Sequence, residues 1–253
     1  MKRLRILRSG LLGAFLPLLL LFAARPARAD FRSDFLAARK AYDAGNYAEA
    51  AALFGNLLSN GVVNVEVEYN LANALFKSGD LPGAVLHYRR AWYRAPRDPD
   101  IAANLRFALD AAGAVPPRPG AFGRIFETLS REEWALAGLI AWFAAALLLS
   151  LDLLLRPARH IPARLAAACA AFALFAAAGW WYWRGFERRP EWVVTAPGVT
   201  ALYGPVEGST AHFRVPVAAL VRAVSDNGKG WLEILYDGKT GWVPEKDMQR
   251  VSP

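Results

Sequence analysis

The sequence predicts a multi-domain membrane protein in which an all-α repeat domain, a two-helix transmembrane hairpin and a small all-β barrel follow one another along the chain. Three observations support this fold class. A seven-residue motif recurs between Ala44 and Ala84, two apolar runs of helical length follow, and short alternating strands with turn sequences begin near Val193. A chain of 253 residues has room for small domains of these kinds.

Residues 1–29 are predicted to be a secretory signal peptide. The segment begins with basic residues, continues with an apolar run from Leu11 to Ala24, and places Ala27 and Ala29 where a signal peptidase requires small side chains. The domain that follows would therefore be exported. An uncleaved anchor helix is the alternative, and it would carry that domain across the membrane as well.

The distribution of charge gives no reason to expect a nucleic-acid partner. The formal net charge is +8, but six of the basic residues lie before Asp30, within the predicted signal peptide. The rest of the chain carries 24 basic and 22 acidic residues. This near balance differs from the strongly basic surface that binds a polyanion.

No catalytic or metal-binding constellation is recognisable in the sequence. Cys169 is the single cysteine and lies in an apolar run, so we expect no disulfide bond in the exported domains. His87, His160 and His212 fall in three different segments, which favours neither a Cys-His hydrolase nor a histidine-rich metal site. We therefore expect a binding protein that is not an enzyme and that uses no cofactor and no metal.

The repeat has the period of the tetratricopeptide (TPR) family. Ala44–Ala50 aligns with Ser78–Ala84 at an offset of 34 residues, which is the TPR period. At this offset, glycines recur where first helices end, alanines recur where helices approach closely, and aromatic residues recur between units. The matched pairs are Gly45 with Gly79, Ala50 with Ala84, Tyr42 with Phe76, and Phe54 with Tyr88. We predict a TPR domain over residues 30–112, in which a lone helix from Pro99 caps the stack.

The first helix of each TPR unit lines a concave face, and such faces bind extended or helical peptides of other proteins. Asn70 and Asn104 recur at one register of this face, which burial explains poorly. The partner-binding residues predicted for the groove are Arg39, Asn70, Asn73, Lys77 and Asn104. Tyr42 and Phe76 belong to the same face, and packing between repeats is the alternative explanation for them.

A proline-rich linker is predicted over residues 113–130. Apolar residues at helical spacing near its end suit a short helix at the membrane surface, and packing in a core is the alternative. Ser130 and Glu133 form a capping-box pattern at the end of this linker. The pattern predicts the start of a longer helix.

Two transmembrane helices are predicted, over residues 131–155 and 165–183, with a cytoplasmic loop over residues 156–164 between them. Trp180–Trp183 would form an aromatic belt at the end of the second span. Arginines on both sides of that span leave its orientation undecided. An exported first domain followed by two spans nevertheless returns the C-terminal domain to the exported side.

Residues 190–253 resemble the bacterial SH3 family. The resemblance rests on Gly230–Ile234, Asp237-Gly238 and Gly241–Pro244, although the chain reads Pro216-Val217-Ala218 where the family carries a glycine. The resemblance implies an all-β SH3-like barrel with an exposed aromatic groove for peptides or cell-wall glycopeptides. The groove residues that it implies are Tyr203, Trp231 and Trp242, and barrel core is the alternative position for the two tryptophans.

The order of modules resembles the E-type member of the Bacteroides aerotolerance (Bat) family. This resemblance implies a scaffold in the bacterial inner membrane, with periplasmic TPR and SH3 domains. Implied partners are membrane proteins with von Willebrand factor A domains, in a cell-envelope complex linked to aerotolerance. The alternative is a peptidoglycan-binding anchor that recruits wall-remodelling enzymes.

Overall fold

The computed structural model describes residues 31–116, 120–155 and 161–251, so the predicted signal peptide lies outside the described residues. The helices in this part of the chain are α1 (Phe31–Asp43), α2 (Tyr47–Ser59), α3 (Val65–Ser78), α4 (Leu81–Arg94), α5 (Pro99–Ala111), α6 (Ala121–Phe126), α7 (Arg131–Leu155) and α8 (Ile161–Arg188). The strands are β1 (Glu191–Val194), β2 (Thr200–Leu202), β3 (Ala211–Arg214), β4 (Leu220–Asp226), β5 (Trp231–Tyr236), β6 (Lys239–Pro244) and β7 (Met248–Val251).

Helices α1 to α5 pack each against the next along the chain, and their ends follow from the sequence. Gly45 and Gly79 adopt φ angles of 80° and 91°, the left-handed conformation predicted for glycines that end first helices. Asp80 caps α4, because its carboxylate accepts a hydrogen bond of 2.9 Å from the backbone N–H of Gly83. Asp98 caps α5 in the same way, by accepting from two backbone N–H groups.

The repeat helices approach closely because small residues lie between them. Ala50 and Ala84 are fully buried, in agreement with the spacing of the repeat. Phe54 is also fully buried, and its ring meets the ring of Phe35 edge to face, with 5.6 Å between the centroids. The region 31–111 is therefore a stack of helical repeats of the TPR type.

Helices α7 and α8 form a long apolar hairpin. The capping box is present: the backbone N–H of Ser130 donates to the Glu133 carboxylate at 2.8 Å, and the backbone N–H of Glu133 donates to Ser130 Oγ at 3.3 Å. In the apolar stretches Arg131–Asp152 and Ala163–Phe186, only 17% and 22% of the most apolar window is buried. Two apolar helices of this length and exposure are compatible with membrane insertion.

The second apolar helix differs from the prediction at both ends. Helix α8 begins at Ile161, within the segment predicted as a loop, and continues to Arg188, beyond the predicted end at Trp183. The charged residues Arg184 and Arg188 favour water, so hydropathy alone ended the predicted span earlier than the helix ends.

The predicted aromatic belt is divided between the surface and the interior. Trp181 is 56% exposed, whereas Trp183 is buried. The indole N–H of Trp183 donates to the carbonyl oxygens of Phe126 and Leu129 at 3.1 and 3.0 Å. These hydrogen bonds connect α8 to the end of α6. Hydropathy alone does not predict this contact.

The strands form one antiparallel sheet in the order β3-β2-β6-β5-β4-β1-β7. The Asp-Gly turn between β5 and β6 has positive φ angles, 46° at Asp237 and 76° at Gly238, as its sequence predicts. Along β5, Leu232 and Ile234 are buried and Trp231 lies on the outer face. Strand β1 is buried at all four positions, so it lacks the polar-apolar alternation that identifies strands in a sequence.

The repeat helices, the hairpin and the sheet meet around one buried ion pair, which we call the junction pair. Arg89 Nε of α4 donates to Glu191 Oε2 of β1 at 2.6 Å, and the hydroxyl of Tyr93 donates to the same carboxylate oxygen at 2.8 Å. Both charged residues are buried. On the side of the hairpin, the rings of Trp183 and Phe186 lie 5.9 and 5.5 Å from the ring of Tyr93.

The junction pair is charged despite its burial. Burial alone would raise the pKa of Glu191, but the neighbouring Arg89 guanidinium outweighs it and leaves the pKa below its ordinary value. Burial likewise opposes the charge of Arg89, and Glu191 nevertheless holds the pKa of Arg89 above its ordinary value. The two groups therefore stabilise each other as ions.

Candidate functional site

A network of neutral hydrogen bonds lies across α3, α4 and α5, and we call it the groove network. Asn104 Nδ2 donates to the hydroxyl of Tyr69 at 2.8 Å and to Asn73 Oδ1 at 3.3 Å. The hydroxyl of Tyr88 also donates to Asn73 Oδ1, at 2.6 Å. Because Tyr69 and Asn104 are only half-buried, a bound peptide could share their polar groups.

Tyr88 of the groove network stays protonated at neutral pH. Burial raises the pKa of Tyr88, and the nearby Tyr69 and Tyr42 raise it further. The pKa of the neighbouring Tyr42, which lies outside the network, is raised by burial and then by Tyr47 and Tyr69. The Tyr88 hydroxyl therefore remains a hydrogen-bond donor to Asn73.

Two pairs of aromatic side chains lie among the repeat helices. Phe76 of α3 and Phe107 of α5 lie 5.4 Å apart between ring centroids, and Phe107 is 62% exposed. Tyr42 and Tyr47 meet edge to face at 5.2 Å. An exposed ring could pack against an apolar side chain of a bound peptide. The backbone of the same peptide could form hydrogen bonds with the neighbouring neutral amides.

The structure brings together two of the five residues predicted for the TPR groove. Asn73 and Asn104 share the groove network. The amide of Asn70 instead donates to the Glu66 carbonyl of its own helix at 2.8 Å. Arg39 and Lys77 are exposed, and their side chains form no hydrogen bond or ion pair with the residues that the structure describes.

Sequence reasoning missed Tyr69, Tyr88 and Phe107 as groove residues. Tyr88 aligns with Phe54 in the repeat, a position typical of packing between units, although its hydroxyl gives it a polar role that phenylalanine lacks. Tyr69 directly precedes Asn70, and Phe107 lies one helical turn after Asn104. Helical spacing from the predicted asparagines is the signal that could have found Phe107.

The sheet carries a second candidate surface, which we call the sheet groove. It is an open cavity of about 520 Å³ whose walls include the side chains of Trp192, Trp231, Pro244 and Met248. Trp192 is buried, and its indole N–H has no hydrogen-bond partner among the described residues. Glu207, Glu245 and Lys246 supply charges at the edge of the cavity.

The three aromatic residues predicted for the SH3 groove occupy different places. Trp231 borders the sheet groove. Trp242 is half-buried on β6, opposite Glu233 of β5 and Leu202 of β2. Tyr203 is 63% exposed and stacks on the His212 ring at 4.1 Å between centroids. Trp192, which completes the cavity, was missed because its strand shows no alternation.

Comparison with known proteins supports the repeat domain. The family profile described as tetratricopeptide repeat matches residues 41–115. Comparisons with curated proteins and with solved structures gave no match. The match covers the helices that carry the groove network, and TPR repeats are typical of domains that bind other proteins.

Proposed function

Starting from its TPR repeats, we propose that this protein is a non-enzymatic, membrane-anchored scaffold that binds protein partners through the TPR groove. The observation that carries the proposal is the groove network, together with the exposed ring of Phe107. A half-exposed set of neutral amides and hydroxyls beside an apolar side chain matches what an extended peptide offers, namely backbone polar groups and alternate side chains.

Membrane anchoring is supported by the outer surface of the hairpin. Large apolar side chains such as Ile140, Trp142, Phe143 and Leu174 are each more than half exposed. Water would penalise such a surface, and a bilayer would cover it. The repeat domain and the sheet contact the same end of the hairpin, because Tyr93 of α4 and Arg222 of β4 both lie against the ring of Phe186. This supports placing both on one side of the membrane.

The finer assignment rests on the resemblances in the sequence. In this proposal the sheet is an SH3-like domain, and Ala218 has the positive φ (62°) of the glycine that the family carries in this turn. The predicted signal peptide places both domains in the periplasm of a bacterium. On the Bat resemblance, the proposed partners are membrane proteins with von Willebrand factor A domains.

Affinity purification of the full-length protein in detergent, followed by mass spectrometry, tests this function. The variant combines Asn73→Ala with Asn104→Ala, the two amides of the groove network, and Asn56→Ala on the outer helix α2 is the matched control. Loss of two polar contacts to a bound peptide should weaken binding of the partner about thirtyfold and lower its recovery, since each contact contributes about 1 kcal/mol. Recovery of the same proteins at equal yield from all three preparations would refute the groove as their binding site.

A peptidoglycan-binding anchor is the second candidate, and the sheet groove favours it. The side chains of Trp192 and Trp231 offer an aromatic wall to a sugar or wall peptide. Sedimentation with purified cell wall tests this: Trp231→Ala should release the full-length protein from the pellet, whereas Trp181→Ala, on the hairpin, should not. Absence of the unmodified protein from the pellet would exclude this candidate.

A further inference from the structure

A small pocket lies where the C-terminal end of α8 meets the sheet, and we call it the interface pocket. Its volume is about 190 Å³. The residues that bound it are Tyr182, Gly185, Phe186, Arg189 and Arg222. Phe186 is also the last residue of the apolar stretch Ala163–Phe186, so the pocket lies where the chain would leave the membrane.

Two guanidinium groups give the interface pocket a positive charge. Arg189 forms no side-chain hydrogen bond or ion pair with the part of the chain that the structure describes. Arg222 is 46% exposed and lies 3.7 Å from the carboxylate of Glu191, which is already held by Arg89. The charge of Arg222 is therefore shared, whereas that of Arg189 is free to meet an anion.

Neighbouring residues place the pocket at the depth of lipid headgroups. The guanidinium of Arg188 lies over the exposed ring of Trp181, 4.6 Å from its centroid, and Arg184 lies over Trp180 at 5.0 Å. Tryptophan and arginine in such pairs are typical of the membrane-water interface. The short helix α6 adds the apolar side chain of Phe122, which is 72% exposed.

The pocket has room for a ligand beside the helix. A Cβ atom added at Gly185 would meet no atom within 4 Å. The rings of Tyr182 and Phe186 form apolar walls on the helix, and the exposed apolar surface of α8 continues from there toward the centre of the span. A molecule with an anionic head and an apolar tail would satisfy both parts of this surface.

We propose that the interface pocket binds the phosphate headgroup of an anionic phospholipid, held by Arg189 and Arg222, with the acyl chains lying along α8. Guanidinium groups bind phosphate through paired, charge-assisted hydrogen bonds. This inference rests on the proposed membrane anchoring and adds the class of lipid that the anchor recognises. It assigns the anion to a lipid and not to free phosphate.

The test uses the full-length protein in vesicles of phosphatidylcholine mixed equally with phosphatidylglycerol. Native mass spectrometry then counts the lipids retained after detergent extraction. Each arginine near a membrane surface contributes about 1 kcal/mol toward anionic lipid, or about fivefold. We expect phosphatidylglycerol to be retained about fivefold or more over phosphatidylcholine, and we expect Arg189→Gln to reduce that preference about fivefold.

Two further variants separate the pocket from general charge attraction. Gly185→Leu fills the pocket without changing its charge and should also remove the preference. Arg188→Gln removes the same charge as Arg189→Gln, but from a side chain that stacks on Trp181 outside the pocket, and it should keep the preference. Equal losses in Arg188→Gln and Arg189→Gln would overturn the proposal, as would equal retention of both lipids by the unmodified protein.

Carbonate extraction of the same vesicles distinguishes failure of this inference from failure of the anchor. Stable insertion without lipid preference would refute the pocket assignment and leave membrane anchoring intact. Failure to insert into either vesicle would refute the anchoring, and the inference with it. Titration of the detergent-solubilised protein with inorganic phosphate is the third arm, and saturation by free phosphate that displaces no lipid would also overturn the lipid assignment.

Discussion

Adjacent residues of α4 serve two polar clusters that differ in charge, burial and distance along the chain. Tyr88 joins the groove network by a hydrogen bond to Asn73, 15 residues away. The members of this network are neutral, and some of them are half-exposed. Arg89 joins the junction pair with Glu191, 102 residues away, and both of its charges are buried. Successive helical residues point about 100° apart, which lets one helix serve both clusters.

This difference indicates which cluster is suited to binding and which to holding the domains together. A neutral, half-exposed hydrogen bond can be exchanged for one to a peptide at little cost. A buried ion pair cannot be opened cheaply, because each separated charge would remain away from water. We therefore propose that the groove network serves recognition and that the junction pair fixes the geometry of the three parts.

The largest expected effect is on the junction pair. Glu191→Ala leaves Arg89 buried without its counter-charge, which should lower the free energy of unfolding by about 3–5 kcal/mol. Glu233→Ala, on the outer face of the sheet, is the control and should change it by less than about 1 kcal/mol. Thermal unfolding in detergent measures both.

A second substitution then tests the electrostatic origin of that loss. Combining Glu191→Ala with Arg89→Met removes the orphaned charge, so the double variant should recover part of the lost stability. If the double variant were less stable than Glu191→Ala alone, packing and not charge would explain the junction.

Acidification should weaken the junction next. The folded pKa of Glu191 lies below its ordinary value of 4.5, so its contribution is complete above that value and is lost as the pH falls below it. Glu127 acts in the opposite sense, since burial raises its pKa. Both the unmodified protein and Glu191→Ala contain Glu127, so most of its effect cancels when their free energies of unfolding are subtracted. The difference that remains should shrink as the pH falls from about 5 to about 3. A difference that stayed constant over this range would contradict the assignment.

Packing within the hairpin should respond less strongly. A Cβ atom at Gly179 would lie 2.5 Å from the ring of Trp134, so Gly179→Ala should destabilise the hairpin by about 1–3 kcal/mol through overpacking. Gly185→Ala meets open space on the same helix and should be neutral or stabilising by up to about 1 kcal/mol. Comparable melting temperatures for the two variants would show that the ring does not pack there.

The smallest effect on stability is expected in the groove network. Tyr88→Phe removes one hydrogen bond to Asn73 and should cost about 0.5–1.5 kcal/mol. The Tyr47 hydroxyl forms no hydrogen bond with the described residues, so Tyr47→Phe should cost less and serves as the control. Chemical denaturation of both variants measures the difference. A loss in Tyr88→Phe as large as in Glu191→Ala would remove the distinction between the two clusters.

The sequence predicts the parts of this molecule that depend on local chemistry. The 34-residue offset locates the repeats, and Gly45, Gly79 and the Asp237-Gly238 turn adopt the conformations that their types favour. The capping box joins Ser130 and Glu133, three positions apart in the sequence, so it too can be predicted from local sequence.

Contacts between distant segments could not be predicted. Nothing near Arg89 indicates Glu191, because the pair forms only after the hairpin returns the chain to α4. Trp183 looks like an interfacial tryptophan until α6 covers it, and Trp192 lies in a strand without alternation. In the groove, the sequence predicts Asn104 from its register and Asn73 from its place on the first helix of a unit. The hydroxyls that complete the network belong to residues whose aromatic rings suggest packing.

Photo-crosslinking in cells tests the assignment of recognition to the groove network most directly. A photoreactive amino acid replaces Phe107, beside the network, and in a second strain it replaces Asn56 on the outer helix α2. We predict one defined protein adduct from position 107, none of that mass from position 56, and loss of the adduct when Asn104→Ala is added. The same adduct from both positions, or an adduct at position 107 that survives Asn104→Ala unchanged, would contradict the account.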